Sequence, residues 1–193
     1  MMKFLKGMQD DVLTLRADGL GVLNWYWDAS FAVHPDYKNH TGGSLTLGEG
    51  SVLSASRKQK LNTRSSTEAE LVAVDDGMGI ILWSRLFLEA QAFDIKKNIL
   101  YQDNRNAILL ENNGKASSSQ RTCHINIRYF FVKDQVDKEN LTIEFCPTDD
   151  MIADYFTKPT TGTKFHLLHA MVMGTVVPDA NLLTLVSALP NRQ

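Results

Sequence analysis

Apolar residues between 65 and 88 recur at helical spacing: Leu71, Val74, Met78, Ile81, Leu82 and Leu88. Ser65 or Ser66 is placed to be the N-cap, and Ser65-x-x-Glu68 matches a capping box, in which Glu68 turns back to the backbone N–H of its cap. At about 100° per residue, Glu70 shares a face with Val74, Gly77 and Ile81, the face that should press on the rest of the fold. Glu68 points about 200° away from it. A carboxylate on a buried helix face is costly unless a cation neutralises it, and a metal ion is the obvious candidate.

The rest of the chain supplies strands and shorter helices around this element. Residues 1–20 read as a helix end followed by a linker with Gly19 and Gly21 at its close. The aromatic and β-branched run 22–31 predicts a strand with Asp28 at its end, and 34–43 predicts a turn by its Pro, Asp and paired Gly. Stretches 44–47 and 51–56 read as a hairpin joined at Gly48-Glu49-Gly50. After the long helix, 98–103 is a short apolar strand ending in Asp103, 104–110 a short helix, 114–120 a polar loop, and 122–136 a helix facing inward through Ile125, Tyr129, Val132 and Val136. Leu141, Ile143 and Phe145 alternate with polar neighbours in a half-buried strand that Pro147 ends. Asp149 or Asp150 is placed to cap a last helix, 151–156, which carries Asp154 between Ile152 and Phe156. The order β-β-β-α-β-α-α-β-α predicts an α/β fold: a five-stranded mixed sheet, three antiparallel strands first and then parallel strands reached through helices, with helices on its faces.

Composition narrows the function classes. The 193 residues suit one domain, and a formal net charge of -2 means that nucleic-acid binding would need a local patch. One such patch is 57–64, where Arg57, Lys58, Lys60 and Arg64 occur without an acid; it reads either as a solvated loop or as a phosphate-contacting surface, and Lys96 and Lys97 add to the second reading. Cys123 and Cys146 stand in no CxxC or zinc spacing and read as buried reduced thiols of an intracellular protein. There is no apolar signal region at the start. The apolar stretch 165–189 is broken by Gly174, Pro178 and Asp179, short of the roughly 20 residues a membrane span needs, so no membrane partner is expected.

Four carboxylates fall at special places: Asp28 on the first strand, Glu70 on the inward helix face, Asp103 at the end of the fourth strand and Asp154 in the last helix. Taken singly, each reads as a surface or capping residue. Together, with the first and fourth strands adjacent, they form a cluster whose mutual repulsion a hard divalent cation such as Mg²⁺ would relieve. Two ions about 3.5–4 Å apart would serve an in-line phosphoryl displacement.

The sequence resembles the ribonuclease H domain in the C-terminal part of the Pol polyprotein of copia-type LTR retrotransposons. The matching stretches are W-D-A-S-F-A with H-T-G-G, S-A-S-R-K-Q-K, R-S-S-T-E-A-E-L-V-A, Y-Q-D-N-R-N-A-I, R-T-C-H-I-N-I-R-Y-F-F-V-K and C-P-T-D-D-M-I-A-D-Y-F-T-K-P, in family order. The resemblance implies an RNase H-like domain over 21–160 that cleaves the RNA strand of an RNA–DNA hybrid with two Mg²⁺ ions, or Mn²⁺. It also implies that residues 1–20 are the tail of a preceding reverse transcriptase, itself a partner, and it leaves 161–193 a tail of unknown role. D-A-S implies Asp28 as a catalytic and metal-binding acid, E-L-V-A implies Glu70, Q-D-N implies Asp103 and I-A-D-Y-F implies Asp154, while Ser66 and Thr67 stand where related enzymes contact the hybrid. The location implied is intracellular, in a cytoplasmic virus-like particle if the element is active.

Two departures accompany the resemblance. The loop 147–150 lacks the histidine that cellular ribonucleases H often carry before the last acid, and Leu71 stands where family members often have Tyr. His124 reads as structural. The competing expectation is a catalytically inactive or separated element fragment that at most binds nucleic acid; a DNA-cutting resolvase or integrase on the same fold matches the motifs less well.

Overall fold

The computed structural model of the chain describes residues 6–19, 21–113 and 123–176, by backbone alone at 113 and 123–129. Strands β1 (Arg16–Ala17), β2 (Val22–Ser30), β3 (His40–Thr46), β4 (Gly48–Glu49) and β5 (Ser51–Lys58) precede helix α1 (Ser66–Ala90). Then come β6 (Lys97–Gln102), α2 (Arg105–Asn113), α3 (Cys123–Asp137), β7 (Thr142–Phe145), α4 (Asp154–Thr157) and α5 (Gly162–Val172). The main sheet has the order β5-β3-β2-β6-β7, with β2, β3 and β5 antiparallel and β2, β6 and β7 parallel, as the sequence predicts.

Alternation along β2 divides the interior in two. Leu23, Trp25, Trp27 and Ala29 pack with Ala69, Ala73, Val74, Met78 and Ile81 of α1 and with Val132 of α3. Tyr26 joins the opposite core, with Cys146, Met151, Ile152, Leu168 and Met171. Trp27 is fully buried between Gly43 and Gly77; a methyl on Gly77 would stand 2.5 Å from the indole Cε2, and one on Gly43 would also meet the ring. Gly42 does the same service on the other face, where a methyl would stand 2.5 Å from Thr157 Cγ2. These glycines correct the expected turn over 34–43. The strand already begins at His40, and its glycines make room for an indole and for α4 rather than for a bend.

The long helix starts as expected at an Ser65 cap, whose Oγ accepts from Glu68 N at 3.2 Å. Glu68, however, accepts from Arg64 N at 2.6 Å, one residue before the expected partner. The last helix also differs: α4 is four residues long, its N-cap is Ala153, and no side chain caps it, because the segment holding Asp149 and Asp150 is a turn closed by Asp150 N to Pro147 O at 2.9 Å.

The sequence predicts a helix end and then a linker over 1–20, yet Arg16 and Ala17 pair with Glu49 and Gly48, and Thr14 N donates to Met173 O at 2.8 Å. Residues 162–172, assigned to a tail, form α5, which fills the second core through Leu168 and Met171. Gly174, at φ +71°, lies against Thr14 and Gly50, a close approach that a side chain would block. The expected polar loop 114–120, the side chains of Cys123, His124, Ile125 and Tyr129, and the stretch 177–193 lie outside the described residues.

Candidate active site

The acids are gathered by strand register. In the parallel β2–β6 pair Tyr26 stands opposite Tyr101, so Asp28 and Asp103, each two residues further on, leave the same end of the sheet side by side. The inward face of α1 brings Glu70 over them, and its Oε2 accepts the Ala29 N–H at 3.0 Å. Carboxylate oxygens of Asp28, Glu70 and Asp103 all lie within 4.8 Å of one another. Asp28 and Glu70 are buried, and Asp103 is half-buried.

Asp154 is also fully buried but belongs to a separate, neighbouring arrangement. Lys158, one helical turn on, pairs with its Oδ1, and Lys164 Nζ lies 2.8 Å from its Oδ2. The Lys158 ammonium also lies 3.5 Å from Asp28 Oδ2, so it links the fourth acid to the first three. Thr157 donates its hydroxyl to Asp28 Oδ2, and Thr148 donates to Asp103 Oδ2 at 2.9 Å. Thr148 thus sits in the loop that lacks the expected histidine.

Burial pushes the Asp28 carboxyl up to about 6; Lys158 and Thr157 pull against it, while Asp154 and Asp103 add to it. Burial also holds Glu70 well above the usual carboxylate range, reinforced by Asp28 and Asp103. Burial alone would lower Lys158, but Asp28 and Asp154 outweigh it and leave the ammonium more firmly protonated than usual. Asp28 and Glu70 resist ionisation, and with Asp103 they form a set of hard oxygen donors whose mutual repulsion a divalent cation relieves, so the three-acid group fits Mg²⁺ or Mn²⁺.

The basic segment lies beside this end of the sheet. Arg57 pairs with Thr41, which pairs with Ala29, so Arg57 stands two strand spacings, roughly 10 Å, from the acids. Arg57, Lys58, Lys60 and Arg64 are exposed, and Lys58 is paired with Asp36 at 2.7 Å. Buried within the run, Gln59 donates to Thr41 Oγ1 at 3.0 Å and to Ala69 O at 2.9 Å, pinning the segment to the residue before Glu70. Ser66 is exposed and Thr67 half-buried on the first turn of α1. Lys96 and Lys97 are a correction: they sit at the start of β6, roughly 20 Å from Asp103 at the rise of a strand, and do not belong to this surface.

No family model matches the chain. Among solved structures, LC11-RNase H1 in complex with RNA/DNA hybrid superposes with a TM-score of 0.51 at 11% identity, over 70% of this chain and 93% of that one, a likeness of fold. The retrovirus-related Pol polyprotein from transposon TNT 1-94 of Nicotiana tabacum is 31% identical over 173 residues, 89% of this chain. That from transposon RE1 of Arabidopsis thaliana is 31% identical over 182 residues, 93% of this chain. The chain is related in sequence to retrotransposon Pol polyproteins and has the RNase H fold. It spans 13% and 12% of the length of those two polyproteins. Within this RNase H-like fold, the residues that sequence reading missed are Lys158, Lys164, Thr148, Thr157 and Gln59. The only signal for Lys158 was the T-K-P that closes the last motif, and Lys164 lies beyond it.

Proposed function

We propose that this RNase H domain is a divalent-metal-dependent endonuclease that cuts the RNA strand of RNA–DNA hybrids during reverse transcription of its element. The observation that carries the reading is the meeting of Asp28, Glu70 and Asp103 within 4.8 Å at the open end of the sheet. These three acids would hold the metal, with Asp154 completing the set when a second ion is bound. Bound Mg²⁺ or Mn²⁺ would supply Lewis acidity for in-line attack of water on the RNA phosphate and for departure of the 3′ oxygen.

The chain's own residues do the rest. The Ala29 N–H fixes Glu70, and the hydroxyls of Thr148 and Thr157 aim Asp103 and Asp28. Arg57, Lys60 and Arg64, with Ser66 and Thr67 on the first turn of α1, would bind the hybrid backbone next to the acids. RNA would be told from DNA by its 2′-OH. A reverse transcriptase part of the same polyprotein, ending in residues 1–20, would share the substrate, and the element's cytoplasmic particle would be the setting.

The test is cleavage of a labelled hybrid by the purified chain with Mg²⁺ or Mn²⁺. Wild type should cut, and Asp103→Asn should lose at least about a thousandfold of the rate with an unchanged melting temperature. A hybrid left whole by wild type, even with the reverse transcriptase part added in trans, would support the inactive, binding-only alternative instead.

A further inference from the structure

We infer that Lys158 is a built-in counter-ion that holds the Asp28–Asp154 half of the site together without metal and must be displaced when a divalent ion takes those oxygens. The inference rests on the reading above, that the acid cluster holds divalent metal.

The geometry separates the two halves of the cluster. Glu70 and Asp103 have neutral hydrogen-bond partners among the described residues, the Ala29 N–H and the Thr148 hydroxyl. Asp154 instead meets an ammonium at each oxygen, and the Lys158 ammonium continues to Asp28. The carboxylates are immobile, with side chains 1% and 0% exposed, on a central strand and a packed helix turn. The Lys158 side chain is 37% exposed. Its charge therefore rides on a flexible four-carbon stem with a solvent route outward, whereas the acids have none. A divalent ion offers the same oxygens twice the charge, so the mobile cation is the one that yields.

Calorimetric titration of Mn²⁺ into the nucleic-acid-free chain tests this. Lys158→Met should bind Mn²⁺ about tenfold more tightly than wild type. Lys158→Arg should keep the wild-type affinity or weaken it, and Lys133→Met, a charge removal on α3, should leave it unchanged. In chelator, Lys158→Met should melt below wild type, and saturating Mg²⁺ should erase that deficit. If Lys158→Met does not fold, Lys158→Gln carries the same comparison. An affinity unchanged or weakened in the neutral variant, or a melting deficit that persists in saturating Mg²⁺, overturns the inference while leaving the proposed function standing. Wild type that takes up no Mn²⁺ at all overturns both.

Discussion

Four acids meet at one end of this sheet, but they are held in two different ways. Asp28, Glu70 and Asp103 crowd one another with only an amide, two hydroxyls and the edge of one ammonium to offset their charge. Asp154, at the start of α4, is paired with two lysines. In the first group burial opposes the ionisation of Asp28 and Glu70, whereas Asp154 has an ammonium at each oxygen. Binding of a cation therefore has a natural place to begin, at the group whose charge is least compensated.

That contrast has opposite signs that can be measured. The largest effect concerns pH. Asp28 sits at about 6 when folded against 3.8 when free, so its contribution to stability is complete below 3.8 and is lost as pH rises through 6. Metal-free protein should accordingly gain up to about 3 kcal/mol from this group between pH 7 and pH 4, as the difference between wild type and Asp28→Asn in denaturant melts. Saturating Mg²⁺ at pH 7 should remove most of that difference. A metal-free deficit of wild type against Asp28→Asn that fails to shrink as pH falls would break the contrast.

Next in size are two neutralising substitutions. Glu70→Gln should raise metal-free stability by about 1–2 kcal/mol, since it removes a buried charge that its neighbours oppose. Asp154→Asn should lower it by roughly 2 kcal/mol, less than for a fully buried pair because both lysines reach solvent. Equal signs in thermal melts with chelator present would show that the two halves are not distinct. Smallest is Glu111 on α2, a fully buried acid whose carboxyl has no hydrogen-bond partner among the described residues and which burial alone holds well above the usual range. Glu111→Leu should stabilise the fold by about 1 kcal/mol, equally with and without Mg²⁺, because no cation pairs with it among the described residues.

Much of this was legible in the chain. The helix over 66–90 and the inward aim of Glu70 follow from apolar spacing, and the placement of Asp28 and Asp103 follows from strand ends and strand order. What the pattern hid were features fixed by distant partners. Gly42 and Gly43 look like a turn until Trp27 and Thr157 are seen to need their space. Lys158 looks like a surface lysine because a four-residue helix shows no periodicity, and its partner on β2 is 130 positions earlier in the chain. Gln59 disappears inside a run of charges, although it is the residue of that run which is buried. Lys96 and Lys97 misled for the converse reason: sequence shows a basic pair but not which end of a strand it occupies.

The pairing of Thr14 with Met173, sealed by Gly174 against Gly50, has a consequence of its own. Residues 14 and 173 thus meet at one place, at the end of the sheet away from the acids. A short bridge between them, with new ends opened in an exposed loop elsewhere, should give a circular permutant that still assembles the sheet.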